Sequence, residues 1–174
     1  MTKPKLIIMS GLPSSGKSTI SERIATELKV PIFSVDPIES AIIKSGITKS
    51  FETGLAAYIV AQDLAEEQLK LGLSVVIDAV NAEDEGKQVW RDLSVKIETP
   101  LVVIECLTSD KGVHRARIEA RRRNLHGMPE ITWDTVEERR KAYTDWDIDT
   151  LKLDTGNDAD VNVQKAIDFI ASQH

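Results

Sequence analysis

A three-layer α/β/α sandwich built on a five-stranded, mainly parallel sheet is the fold this 174-residue sequence predicts. Three observations carry the prediction. Apolar runs of strand length alternate with longer segments of helical periodicity along the whole chain. Three of the five runs are almost continuous Val, Ile and Leu, the composition of strands covered by helices on both faces. A glycine-rich turn, GLPSSGKST, joins the first run to the first helical segment. Strand–helix alternation of this kind also implies right-handed crossovers.

The elements follow in order. Lys5–Met9 (KLIIM) reads as the first strand and Lys17–Lys29 as the helix after the glycine turn. Pro31–Val35 is the second strand and Pro37–Ser45 a short helix, for which Asp36 before Pro37 suits an N-cap with proline at the first helical position. Thr53–Leu71 is a long helix with Gly72 placed to end it. Ser74–Asp78 is the third strand, Asp84–Val95 a helix, and Leu101–Cys106 the fourth strand. Helices at Lys111–Asn124 and Thr135–Tyr143, a strand at Thr150–Asp154 and a helix at Asp158–Ser172 complete the chain. With no repeat, low-complexity tract or linker, residues 1–174 read as one domain, whose expected mobile parts are Gly46–Ser50 and Asn124–Ile131.

Bulk composition narrows the partners. Twenty-eight acidic against 22 basic residues give a net charge of −6, so no global field draws the chain to nucleic acid or to an anionic membrane. Any anion has to be held locally. The one cysteine, Cys106, lies in an apolar run and has no partner for a disulfide, which suits a core position in a reducing cytoplasm. The apolar run near the N-terminus is four residues long, too short for a signal or a membrane span. The expectation is a soluble cytoplasmic protein.

The glycine turn supplies the local anion site. Gly11, Leu12, Pro13, Ser14, Ser15, Gly16, Lys17, Ser18 and Thr19 spell a G-x-x-x-x-G-K-[ST] loop between a strand and a helix, which is the context its mechanism needs. Its backbone N–H groups and the helix N-terminus would wrap the phosphates of a nucleoside triphosphate, Lys17 would reach the β- and γ-phosphates, and the Ser18 hydroxyl would ligate Mg²⁺. Asp78, ending the apolar strand SVVID, suits the acidic partner of that ion, or else a turn cap. Ala79 follows it, where many hydrolysing ATPases carry a glutamate.

Asp36 ends the second strand, on the side where open α/β sheets bind ligands. A carboxylate there can accept the proton of an attacking hydroxyl, and it can equally be a cap.

Four motifs in order, SGLPSSGKST, SVDPIESAI, VVIDAVN and RIEAR, resemble those of small P-loop kinases related to the kinase domain of bacteriophage polynucleotide kinase, the zeta toxins and the chloramphenicol phosphotransferases. The resemblance implies an adenylate-kinase-like sheet and transfer of the ATP γ-phosphate to a hydroxyl. It also implies that Asp36 is the base and that Arg117 and Arg121 are phosphate-contacting arginines of a lid spanning roughly residues 111–134. One departure stands out: relatives usually have D-x-x-R at the second strand end, and here the fourth residue is Glu39. Two like charges 4 Å apart cost about 4 kcal/mol at an effective dielectric near 20. Glu39 therefore predicts an acceptor with no phosphate at this spot, neutral or cationic, unless the side chain turns to solvent. Asn81 either lines the acceptor pocket or makes a turn.

The stretch HRARIEARRR concentrates five arginines in ten residues. On one continuous helix Arg117 and Arg121 share a face with His114, while Arg115 and Arg122 lie on another and Arg123 on a third. The first two can converge on phosphate; the other three read as solvated charge, with Arg115 near Glu119. No aromatic is interleaved among them for stacking on single strands, although Trp133, Tyr143 and Trp146 lie downstream. His114 and His126 have no metal-ligand spacing. The sequence thus predicts an ATP- and Mg²⁺-dependent kinase acting on a hydroxyl of a small-molecule acceptor. A nucleotide-dependent switch working through a protein partner and a polynucleotide 5′-hydroxyl kinase are its alternatives.

Overall fold

A computed structural model describes residues 3–173. Five strands, β1 (Leu6–Ser10), β2 (Ile32–Ser34), β3 (Val75–Asp78), β4 (Leu101–Leu107) and β5 (Thr150–Asp154), form one sheet in the order β2-β3-β1-β4-β5. Every pairing is parallel. The chain leaves β1, reaches the edge at β2, returns to β3 beside β1, and then crosses to β4 on the other side. This reversal puts a crevice at the carboxyl end of β1, where the glycine-rich loop begins.

Strand period 2 divides the core between two faces. Leu6 and Ile8 of β1 face a cluster with Val75, Ile77, Trp90 and Leu93, whereas Ile7 and Met9 face one with Ile24, Val76, Ile104 and Ile170. Helices α1 (Lys17–Leu28) and α7 (Ala159–Ser172) cover the second face. Helices α2 (Val35–Lys44), α3 (Phe51–Lys70) and α4 (Asp84–Ile97) cover the first. Ala57, Ala61 and Ala65 recur every four residues on α3 and are wholly buried, so their small side chains bring that helix close against the sheet. Cys106 is a buried core residue whose thiol is pushed up to about 12 by burial. Among the described residues no helix is long and apolar enough to cross a membrane.

Of the element boundaries that differ from the sequence prediction, two move residues of interest. α2 begins at Val35 with Ser34 as its N-cap, so Asp36 is the second helical residue and not the cap. The cause is Val35, which is buried in the core and forces the chain to turn one residue early. Pro37 at the third position costs no hydrogen bond, because the first four helix N–H groups have no intrahelical acceptor. α5 (Lys111–Ala120) is capped by Asp110, which accepts from the Val113 N–H at 3.0 Å, and it stops four residues short of Asn124. Arg121 to Asn124 therefore leave the helix, and the single-helix wheel does not apply to Arg121 and Arg123. A short helix α6 (Trp133–Ala142) follows, and Ile118 and Val136 close a small third cluster over Leu12.

Candidate active site

The loop between β1 and α1 is shaped by two glycines that no other residue could replace. Gly11 has φ 143°, and a Cβ there would lie 2.3 Å from the Cys106 carbonyl oxygen. Gly16 has φ 84°, and its Cβ would lie 2.9 Å from the Thr155 side chain. The loop is pinned from outside: the Thr155 hydroxyl donates to the Ser15 carbonyl at 2.6 Å, and His114 Nε2 stands 2.8 Å from the Pro13 carbonyl. The first intrahelical bond of α1 runs from the Ile20 N–H to Gly16, which leaves the N–H groups of Gly16 to Thr19 for an anion at the positive helix end.

Lys17 and Ser18 both turn toward the end of β3. Lys17 Nζ is 2.8 Å from Asp78 Oδ1, and the Ser18 hydroxyl donates to Asp78 Oδ2 at 2.8 Å. The donor chemistry suits Mg²⁺: a hydroxyl and a carboxylate stand together beside the phosphate cradle. Among the described residues no three His, Cys, Asp or Glu side chains gather into a cage. A hard ion that keeps several waters and completes its shell with substrate phosphates fits such a sparse oxygen set.

Three adjoining spaces run across the sheet's carboxyl edge. The first, about 460 Å³, lies over the outer side of the loop, lined by Gly16, Lys17, Arg117, Arg121, Thr155 and Asn157 among others. The second, about 190 Å³, is bounded by Lys17, Ser18, Asp36, Asp78, Arg121 and Arg123. The third, about 320 Å³, opens between α2, α3 and α4 past Asp36, Glu39, Lys49, Tyr58 and Arg139. Lys17, Ser18 and Arg121 border the first two spaces, and Asp36 borders the last two.

The arginines divide differently from the helical-wheel expectation. Arg117 is tied down: Nη1 donates to the hydroxyls of Thr155 at 2.8 Å and Thr108 at 3.1 Å, and Nη2 to the Thr155 carbonyl at 2.9 Å. Arg121 is extended beyond the helix end and its guanidinium makes one long contact among the described residues, 3.4 Å to the Ser14 hydroxyl, which leaves it able to meet phosphate. Arg115 pairs with Glu119 at 2.8 Å on the surface, and Arg122 is exposed and bonded to backbone carbonyls. Arg123 is not solvated charge. Its side chain is 6% exposed, and Nη2 lies 2.8 Å from Asp36 Oδ2, while its backbone N–H reaches both oxygens of Glu130 at 3.1 and 3.2 Å. These two carboxylates explain why the chain unwinds after Ala120.

On the acceptor side, Glu39 is 7% exposed, so it does not turn to solvent. Its Oε1 accepts from Lys49 Nζ at 2.7 Å and from the Thr53 hydroxyl at 2.8 Å. The repulsion argued for a bare glutamate is thus offset within the protein, by a lysine from the loop before α3. Asn81 is buried at φ 51°. Its Oδ1 accepts from Trp90 Nε1 at 2.9 Å, so its side chain serves the turn more than the pocket. Its N–H donates to the Tyr58 hydroxyl at 3.3 Å, and burial pushes the Tyr58 phenol up to about 12, so it stays a proton donor.

His114, whose spacing suggests no metal site, has a structural role. It is fully buried, with Trp133 edge-on at 5.6 Å. Nε2 donates to Pro13, and Nδ1 accepts from Arg140 Nη2 at 3.1 Å, an arrangement only the neutral ring provides. Burial lowers its pKa, and the Arg140 and Arg117 charges act in the same direction. The i, i+4 spacing of His114 and Ile118, both buried, is the signal the sequence holds for it. Lys49, Tyr58 and Arg139 give no comparable signal.

Comparison with known proteins places this geometry. Residues 6–143, well over half of the chain, match the AAA domain family. The bifunctional polynucleotide phosphatase/kinase of Schizosaccharomyces pombe is 26% identical over 141 residues, covering 80% of this chain and 30% of that protein. The chain thus spans less than a third of that relative's length. Among solved structures, a protein from Chloroflexus aurantiacus superposes with TM-score 0.79 at 23% identity over 97% of this chain and 99% of the other. The Mycobacterium tuberculosis APS kinase CysC, in complex with AMPPNP and APS, does so with TM-score 0.75 at 16% identity over 99% and 100%. The fold is that of P-loop kinases, as the motif resemblance implied.

Proposed function

The chain belongs to the AAA domain family, and on that footing we propose that it is an ATP-dependent kinase that phosphorylates a hydroxyl of a small molecule. One observation carries the reading: Asp36 stands on the shared wall between the phosphate space and the cleft beyond it. In this reading the adenine nucleotide fills the space over the loop, and its γ-phosphate reaches the second space past Lys17. The acceptor enters from the third. Asp36 Oδ2 is engaged by Arg123, and Oδ1 takes no hydrogen bond among the described residues.

Oδ1 accepts the proton of the acceptor hydroxyl as that oxygen bonds to the γ-phosphorus. The bond from phosphorus to the β–γ bridging oxygen breaks in the same displacement, leaving ADP. Lys17 and Arg121 face the transferring group and offset its charge. Ser18 and Asp78 would hold Mg²⁺, which would supply positive charge to offset that of the phosphates. Residues 111–134 act as the lid, with Arg117 bracing it to the loop after β5 and Arg121 left to follow the phosphate.

Transfer of labelled γ-phosphate to pooled nucleosides, sugars, antibiotics and 5′-hydroxyl oligonucleotides tests the reading. A product that is lost in Asp36→Asn supports it. ATP turnover without any labelled acceptor, stimulated by a protein partner, would replace it with a nucleotide switch. The name of the S. pombe relative supports a second reading, a polynucleotide 5′-hydroxyl acceptor. Against it stand Glu83 and Glu85, exposed on the rim of the cleft where a phosphate backbone would have to lie. Oligonucleotide phosphorylation whose binding weakens steeply with salt would favour that alternative.

A further inference from the structure

The cleft past Asp36 shows which chemistry it is built to hold. Its floor is opened by two glycines within the first turns of helices, Gly54 on α3 and Gly86 on α4. A Cβ on Gly54 would meet only Glu39 Oε1, at 3.8 Å, and the atoms nearest to one on Gly86 belong to the Tyr58 side chain, at 3.4 to 3.6 Å. Both would therefore project toward the cleft. Glycine in a helix costs about 1 kcal/mol relative to alanine, so two of them facing one cavity keep space there at the expense of helix stability. Phe51, Leu55, Val80 and Val89 give the walls an apolar stretch.

The charged groups nearest the phosphate space cancel in pairs, Asp36 with Arg123 and Glu39 with Lys49. Inside the exposed rim, where Glu83 and Glu85 stand, what is left is one-sided. Arg139 on α6 lines the cleft half-buried, and no carboxylate lies within ion-pair distance of it among the described residues. The Tyr58 hydroxyl accepts from Asn81, which leaves its own proton without an acceptor among the described residues. Beyond the base and the two rim glutamates, Glu83 and Glu85, the unsatisfied groups of the cleft are thus hydrogen-bond donors, and the guanidinium has the planar fork that matches a carboxylate. Glu83 and Glu85 on the exposed rim repel any anion, a phosphate dianion about twice as strongly as a carboxylate, so of the two the singly charged group is the one Arg139 can hold.

From these donors, and resting on the kinase reading above, we propose that the acceptor is a hydroxy acid. Its hydroxyl lies at Asp36, its body lies against Phe51 and Leu55, and its carboxylate is held by Arg139 and the Tyr58 hydroxyl. Arg139 is then the residue that determines acceptor specificity. It takes no part in the displacement.

The test gives the purified chain ATP and Mg²⁺ with acceptors matched in skeleton and differing in one end group. These are glycerate, glycerol and 3-amino-1,2-propanediol; D-gluconate, D-glucitol and 1-amino-1-deoxy-D-glucitol; and pantothenate with panthenol. The expected result is kcat/KM at least tenfold higher for an acid than for its neutral partner. In Arg139→Gln the acid should fall at least tenfold while the neutral partner stays within twofold, and Arg139→Lys should keep part of the preference. Because Arg139 has no side-chain hydrogen bond or ion pair among the described residues, and glutamine keeps part of its stem, melting temperature should change little. Preference for the alcohol or the amine, or an acid preference untouched by Arg139→Gln, would overturn the hydroxy-acid assignment and leave the kinase reading standing. No transfer to any of the eight compounds would overturn the hydroxy-acid assignment, and no transfer to the wider acceptor pool either, with ATP binding intact, would overturn the kinase reading itself.

Discussion

Arg123→Ala perturbs the one contact that joins the arginine segment to the proposed base. Arg123 Nη2 is 2.8 Å from Asp36 Oδ2, with the arginine 6% exposed and the aspartate 47%. Unit charges about 4 Å apart attract by about 4 kcal/mol at an effective dielectric near 20. Water at the half-exposed aspartate screens the pair, which brings the expected loss of stability to about 1 to 2 kcal/mol. For a chain of this length that is a fall in melting temperature of roughly 2 to 8 °C.

The kinetic effect should be larger, because a freed carboxylate leaves the attacking geometry. Displacement by about 1 Å can cost on the order of a hundredfold, so a ten- to hundredfold loss in kcat is expected from about that misplacement. ADP affinity should stay within twofold, since Arg123 does not line the space over the loop in which the nucleotide is proposed to sit. The decisive assay is a double-mutant cycle on the transfer rate with Asp36→Asn. If Arg123 acts through Asp36, adding Arg123→Ala to the Asp36→Asn variant should change its rate by less than twofold. Equal losses in both backgrounds would refute the reasoning and make Arg123 a direct phosphate ligand.

Two further outcomes follow from the site. Arg121→Ala should lower turnover by two or more orders of magnitude with a melting temperature within about 1 °C, whereas Arg117→Ala should lower both, because it leaves the hydroxyls and carbonyl of its threonine partners without their donor; activity assays paired with thermal melts separate the two. Neutral His114 predicts an acid-sensitive loop: its folded pKa lies below the usual 6.5, so the unfolded chain takes up the proton first. That contribution is full above pH 6.5 and is lost as the pH falls through the folded value. Melting temperature should therefore drop more between about pH 7.5 and 5 in the native chain than in His114→Gln, and parallel curves would refute the linkage.

The sequence carried the parts of the site that local backbone chemistry dictates. A glycine loop between a strand and a helix has few structural solutions, and near-continuous apolar strands have one burial, so Gly11 to Thr19, Asp78 and the parallel sheet were readable. Legibility stopped where a residue's role depends on a distant segment. Arg123 and Asp36 are 87 positions apart, and nothing in HRARIEARRR shows that Glu130 and Asp36 will together draw the chain out of its helix after Ala120. The helical wheel failed there because it assumes that the helix continues. Glu39 illustrates the same limit from the other side. Its departure from the family pattern was visible, but its meaning rests on Lys49, which comes from a loop expected to be mobile, and on Thr53 in the first turn of α3. An uncompensated carboxylate would have excluded an anion from the whole cleft. Once it is compensated, selectivity in the proposed reading passes to the unpaired cation inside the rim glutamates. That charge is Arg139, so Lys49→Ala should weaken acid acceptors even though Lys49 need not touch them. Baring Glu39 restores the repulsion, and a second substitution, Glu39→Gln, should then recover the loss.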